Sequence, residues 1–149
     1  MRVADAFNEK VAKLASAATL CDAAELLSAT QSSELMVVDG DDNLLGVVSE
    51  GDLVRAVMPS RDEVLEGDLP LLSSLELIAE KGSSIKDRRV TEIMITDPIT
   101  MSPEDPLLKA AQIMDSRKIR RLPVVDAGRL VGTLSRADIC LHVIREQAD

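Results

Sequence analysis

The stretch GRLVGTLSRADI, Gly128 to Ile139, has an earlier counterpart in DNLLGVVSEGDL, Asp42 to Leu53. Both read as an apolar strand ending in a serine, followed three residues later by an acid at a helix start. Working outward, a shift of 87 residues lays Arg2-Val3 on Arg89-Val90, Leu20 on Leu107, Ala23-Ala24 on Ala110-Ala111 and Val37-Val38-Asp39 on Val124-Val125-Asp126. After that Asp the second copy is one residue shorter. A shift of 86 then pairs Gly46 with Gly132, Ser49 with Ser135 and Asp52 with Asp138. A gap confined to a turn, with agreement on both sides, marks a duplicated unit.

Each copy predicts β-α-β-β-α. A short extended piece (Lys10 to Leu14, Pro98 to Met101) leads into a helix with apolar positions at Leu20, Ala23, Ala24 and Leu27, or at Leu107, Ala110, Ala111 and Met114. A strand follows (Leu35 to Val38, Leu122 to Val125), then a turn, a second strand (Leu44 to Val48, Leu130 to Leu134) and a helix (Glu50 to Met58, Arg136 to Ile144). The expected divisions are 1–58, a connection at 59–88 and 89–149. The connection opens with the polar, turn-rich PSRDEVLEGDLP and holds a short helix that Gly82 is expected to end. Its Leu71, Leu72, Leu75, Leu77 and Ile78 are expected to pack on the module or a partner chain.

Composition narrows the function classes. Of 149 residues, 46% are hydrophobic but one, Phe7, is aromatic, so aliphatic side chains must form the core and stacking platforms for single-stranded nucleic acid are not expected. A net charge of −9 disfavours nucleic acid and anionic membranes as partners. No apolar run reaches the 18 residues of a membrane span, and the mixed, charged start predicts no signal peptide, so a cytoplasmic location is expected. Cys21 and Cys140 are read as buried thiols. Asp39, Asp41, Asn43 and Glu50 mimic calcium-loop spacing, but Leu44 replaces the required glycine and the flanks are strands. His142 lacks a companion ligand set, and no catalytic constellation is recognisable.

The S-x-x-D pairs have two readings. Ser135 with Asp138, and Ser49 with Asp52, fit a helix capping box. The same strand-to-helix junction exposes amides that suit a phosphate. Thr133 and Ser135 share one strand face, and Arg120, Arg121 and Arg136 supply guanidinium groups that match phosphate oxygens. Strand alternation predicts that one of Arg120 and Arg121 faces a ligand. In the first copy these arginines become Ser33, Glu34 and Glu50, and Thr133 becomes Val47.

The stretch Asp97 to Ile139 resembles the cystathionine-β-synthase (CBS) domain family, through P-x-T near the first strand, A-x-x-x-M on the helix, L-P-V-V-D and then G-x-x-S-R-x-D. The first copy departs from it at Val11 and Met36, where the pattern has proline. The resemblance implies an α/β (α+β) fold of two units packed sheet to sheet about a pseudo-twofold axis. It implies a regulatory role and frequent homodimers; a stand-alone, non-catalytic regulator acting on a target protein in trans, with no obligatory cofactor, is expected. AMP, ADP, ATP or another adenosyl compound is the implied ligand, and a protein-interaction module without nucleotide is the alternative. The implied roles are ribose binding for Asp138, ribose or phosphate contact for Ser135, and adenine recognition by the backbone of Thr96 to Thr100, with Asp97 and an apolar floor from Ile99. Pro123, Thr133, Arg120, Arg121 and Arg136 complete this expected site. A weaker site of Lys10, Ser49 and Asp52 is expected to stay vacant or to take an uncharged or cationic adenosyl compound.

Overall fold

The structure, a computed structural model, describes residues 1–58 and 71–148; the turn-rich start of the connection and the side chains of Leu71 and Leu72 lie outside the described residues. The strands are β1 (Lys13–Ala15), β2 (Glu34–Val38), β3 (Leu44–Ser49), β4 (Arg121–Asp126) and β5 (Arg129–Ser135). The helices are α1 (Leu20–Thr30), α2 (Glu50–Val57), α3 (Leu71–Ile85), α4 (Leu107–Arg117) and α5 (Arg136–Ala148). In the first copy β1 lies parallel to β2 and β2 antiparallel to β3; in the second, β4 and β5 pair antiparallel. The expected lead strand of the second copy contracts to Met101, which bridges Val124 in parallel. In the first copy that strand begins at Lys13, three residues late, because Asn8 is drawn into another sheet.

Helices α1 and α4 bury most of the expected stripe, Leu20, Ala23 and Leu27 in one and Leu107, Ala110 and Met114 in the other; Ala24 is exposed and Ala111 half-buried, because each lies one position round the helix from the buried alanine. Thr19 caps α1, its hydroxyl accepting from the Asp22 amide at 3.1 Å while Asp22 accepts from the Thr19 amide at 2.9 Å. Three corrections concern the surface and the connection. Cys21 and Cys140 are exposed, not buried, because both sit on the outer faces of their helices. Gly82 does not end α3, which runs three residues further to Ile85. The interior glycine costs about 1 kcal/mol relative to alanine, and here it turns an open face toward Val57 of α2, against which α3 packs. Leu75 is exposed, whereas Leu77 and Ile78 are half-buried.

The packing units are offset from the sequence repeats. Val3, fully buried, belongs with Leu107, Met114, Leu122 and Leu134 of the second copy. Val90, its repeat equivalent, is buried among Leu14, Leu20, Leu35 and Val48 of the first. Each such valine contributes about 2 kcal/mol by burial. Backbone bridges repeat the exchange: Asn8 pairs with Thr133 on β5, and its equivalent Ile95 pairs with Val47 on β3. A third apolar cluster of Met36, Val38 and Leu130 joins the two sheets. Two contacts link residues to their own repeat equivalents, Asn43 with Arg129 and Glu34 with Arg121, which happens only on the pseudo-twofold axis.

Candidate functional site

The exchanged lead-in segments create two clefts of unequal size. The larger, of about 700 Å³, lies within the range of small-molecule sites. Its walls come from both copies: Val47, Ser49, Glu50, Gly51, Asp52 and Arg55 of the first, and Ile95, Asp97, Pro98, Ile99, Arg117 to Leu122 and Pro123 of the second, with Ser33 and Glu34 at the rear. The smaller, of about 130 Å³, is lined by Asn8, Lys10, Val11, Ala12, Ser32, Glu34, Met36, Arg121 and Thr133. That space is well below what a nucleoside fills.

This geometry regroups the residues expected to act together. Asp97, Ile99, Pro123, Arg120 and Arg121 do line one cleft, but their S-x-x-D partner is Ser49 and Asp52 of the first copy. Ser135 and Asp138 line neither cleft. The cause is the crossing at Ile95 and Val47, which carries the second copy's lead-in to the first copy's sheet edge. For the same reason Lys10 parts from Ser49 and Asp52 and joins Thr133 in the small cleft. Thr96 and Thr100 are exposed and line neither cleft, since they flank the inward-facing residues of an extended segment. Arg136 is engaged elsewhere. Its Nε donates to the Ile119 carbonyl at 3.1 Å and its Nη2 to the Met114 carbonyl at 3.0 Å, closing the end of α4.

Both S-x-x-D pairs are capping boxes. Ser49 Oγ accepts from the Asp52 amide at 3.1 Å, and Asp52 Oδ2 accepts from the Ser49 amide at 2.9 Å. Ser135 and Asp138 repeat this at 3.1 and 2.9 Å. They differ one turn on. Arg55 Nη2 donates to Asp52 Oδ1 at 2.6 Å, whereas the equivalent residue in the second copy is Leu141. Arg55 was legible, because it sits three residues beyond Asp52 on the same helix face. Arg117 and Lys118 at the end of α4 also went unread, and only the fold brings them to this cleft. With Arg120 and Arg121 they give five cationic side chains against the acids Glu34, Glu50, Asp52 and Asp97, a local excess in a chain of net charge −9.

Arg120 and Arg121 both line the large cleft, but Arg121 reaches across the axis. Its Nη1 donates to Thr133 Oγ1 at 2.8 Å, and its Nε stands 4.0 Å from Glu34 Oε2. Arg120, just before β4, is exposed at the cleft wall. No helix among the described residues is long and apolar enough to cross a membrane, and no cluster of metal-ligating side chains occurs among them.

The CBS domain family model matches residues 3–59 and 90–145. The chain belongs to the CBS domain family. It is a tandem CBS pair, and such pairs generally regulate rather than catalyse. A CBS domain-containing protein of Dictyostelium discoideum is 32% identical over 122 residues, covering 81% of this chain and 76% of the relative. The crystal structure of CBSX2 in complex with AMP is 28% identical, with a TM-score of 0.75 and 98% coverage of both chains; CBSX2 is a CBS-pair protein of Arabidopsis thaliana. The AcuB protein of Vibrio cholerae is 27% identical with a TM-score of 0.76, covering 99% of this chain and 93% of that one.

Proposed function

We propose that this CBS pair is a non-catalytic cytoplasmic sensor that binds one adenosyl ligand in the large cleft. The carrying observation is that cleft's mixed parentage: the Ser49–Asp52 junction of one repeat faces the Asp97–Ile99 segment and Arg120 of the other. Ribose hydroxyls would donate to Asp52, displacing Arg55 and freeing its guanidinium for a phosphate. Ile95, Pro98, Ile99 and Ile119 offer the apolar surface a purine needs. The AMP complex of CBSX2 supports the same ligand class. A ligand touching both repeats favours one angle between them, to the extent that it binds that state better. The output passes to a target protein in trans or to a homodimer. The exposed Val54 on α2 and Met58 just past its end, and Leu141 and Ile144 on α5, support self-association.

A second reading has its own support. Both Asp52 oxygens are already hydrogen-bonded within the chain, as expected of a capping residue in an interaction module that binds no nucleotide. Calorimetry with adenosine, AMP and ATP separates the two. The sensor reading expects one equivalent bound, weakened about tenfold or more by Asp52→Asn and left within about twofold by Asp138→Asn. Absence of binding by all three compounds, or equal losses in the two variants, would establish the capping reading instead.

A further inference from the structure

Building on the sensor reading, we infer that Arg55 selects phosphorylated adenosyl compounds over neutral ones: it closes the ribose position in the free protein, and a phosphate on the ligand offsets its displacement. Arg55 Nη2 donates to Asp52 Oδ1 at 2.6 Å and the Ser49 amide to Oδ2 at 2.9 Å, so each carboxylate oxygen already has a donor. The two partners are not equally held. The Asp52 side chain is 15% exposed and fixed by its cap, whereas that of Arg55 is 73% exposed. The arginine is therefore the half that moves.

The cap does not need this arginine. Ser135 and Asp138 make the same pair of capping bonds, at the same 3.1 and 2.9 Å, with Leu141 at the equivalent position. That second junction lines neither cleft. The cation thus accompanies only the acid that faces a cleft. Gly51 accompanies it too, where the second copy has Ala137. A Cβ on Gly51 would stand 3.3 Å from Arg55 Nη1, so the bare backbone leaves room for the guanidinium to fold back across the junction. Charge then sets the preference. Among the described residues, Arg55 is the one cationic side chain that the first copy gives to the large cleft; Arg117, Lys118 and Arg120 come from the second. Adenosine must displace the guanidinium from Asp52 and offers it no anion, which for a partly exposed pair lowers affinity about threefold. A 5′-phosphate gives the freed guanidinium a two-oxygen partner and draws on cations of both repeats, and one such charge-assisted contact strengthens binding about tenfold. A cationic adenosyl compound meets like charge in the same place.

Adenosine and AMP differ only in the phosphate, and calorimetry on the full chain compares them. Arg55→Ala should tighten adenosine about threefold and weaken AMP about tenfold, two shifts of opposite sign. Arg55→Lys should recover part of the AMP affinity, since an ammonium keeps the charge and loses the two-pronged fit. The preference of the wild type for AMP over adenosine should shrink as sodium chloride rises, and more steeply than that of Arg55→Ala. An arginine that only steadied α2 would instead lower the unfolding midpoint and weaken both ligands together. Affinities that move in the same direction, or that do not move, overturn the selector and leave the sensor reading standing. Absence of binding by the wild type and Arg55→Ala alike overturns both.

Discussion

Single residues explain why the two copies diverged where they did. Arg136 donates to carbonyls at the end of α4, a task its counterpart Glu50 cannot perform. At the end of α1 Gln31 and Thr30 serve instead, donating to the Ser28 and Leu26 carbonyls at 2.7 Å each. The one-residue gap between copies has a similar origin. In the second hairpin Ala127 and Gly128 take φ of 50° and 84°, which suits a tight two-residue turn. In the first, Asp39 organises a longer loop, accepting from the Asn43 side chain at 3.0 Å and from the Asp41 and Asn43 amides at 2.9 and 3.0 Å. The Asn43 side chain, with those amides, holds the Asp39 carboxyl below its ordinary value. The folded state therefore prefers the ionised acid. Its contribution is complete above the unfolded pKa of about 3.9 and is lost as pH falls through the lower folded value. Asn43→Ala should lower the urea midpoint at pH 6, and the gap from wild type should narrow below about pH 4. A gap that stays constant to pH 2.5 would show that the Asn43 side chain acts through something other than the Asp39 charge. The caps themselves were legible, because S-x-x-D is a local pattern. The exposure of Cys21 was not: its helix is amphipathic, and composition alone cannot say which face a thiol takes. Glu25, Asp22 and Asp87 around it, Glu25 foremost, raise that thiol's pKa.

Among the elements, the crossing of the lead-in segments decides the site, and two glycines permit it. A Cβ on Gly46 would stand 2.6 Å from Met94 Sδ and 2.7 Å from the Ile95 carbonyl. A Cβ on its equivalent Gly132 would collide with the Asn8 carbonyl and the Phe7 ring. Each glycine lets a foreign segment lie against a third strand, and a backbone neighbour cannot yield as a flexible side chain can. Gly132→Ala should therefore destabilise the protein by about 2 kcal/mol in denaturant titration. Hydrogen exchange should show the Asn8 and Thr133 amides, mutually bonded at 2.8 and 2.9 Å, losing protection before the β2–β3 pair does. Uniform loss across both sheets, or no loss, would mean that the lead-in is not seated by this contact. The order β-α-β-β-α was readable from periodicity, since helices and hairpins announce themselves over ten or more neighbouring residues. The crossing was not, because one bridge each at Asn8 and Ile95 has no period and joins residues far apart in sequence. That is why Ser135 and Asp138 share a repeat with Asp97 and Ile99 but not a cleft.

For the molecule as a whole, exchanged segments turn two sequence repeats into one structural unit. The resemblance to the CBS family implied the pseudo-twofold axis, and Glu34 meeting Arg121 and Asn43 meeting Arg129 place that axis through particular residues. An ancestor with identical halves would set like against like at the first of these positions. Divergence to an acid and a base removes that repulsion and sets one guanidinium and one carboxylate where the two clefts meet. Neither repeat keeps its core without the other, since Val3 and Phe7 complete one and Val90, Ile93 and Met94 complete the other. Unfolding should consequently be a single transition. For 149 residues the calorimetric enthalpy should be about 100 kcal/mol near 60 °C, with a van't Hoff enthalpy equal to it. Two independently melting halves would instead give a van't Hoff value about half the calorimetric one. Adenosine should shift that one transition upward without splitting it, because the large cleft has walls from both repeats and its ligand is released only when they part. A ligand that raised the melting of one half and left the other in place would show that the repeats bind and unfold separately, and the angle between them could not then carry a signal.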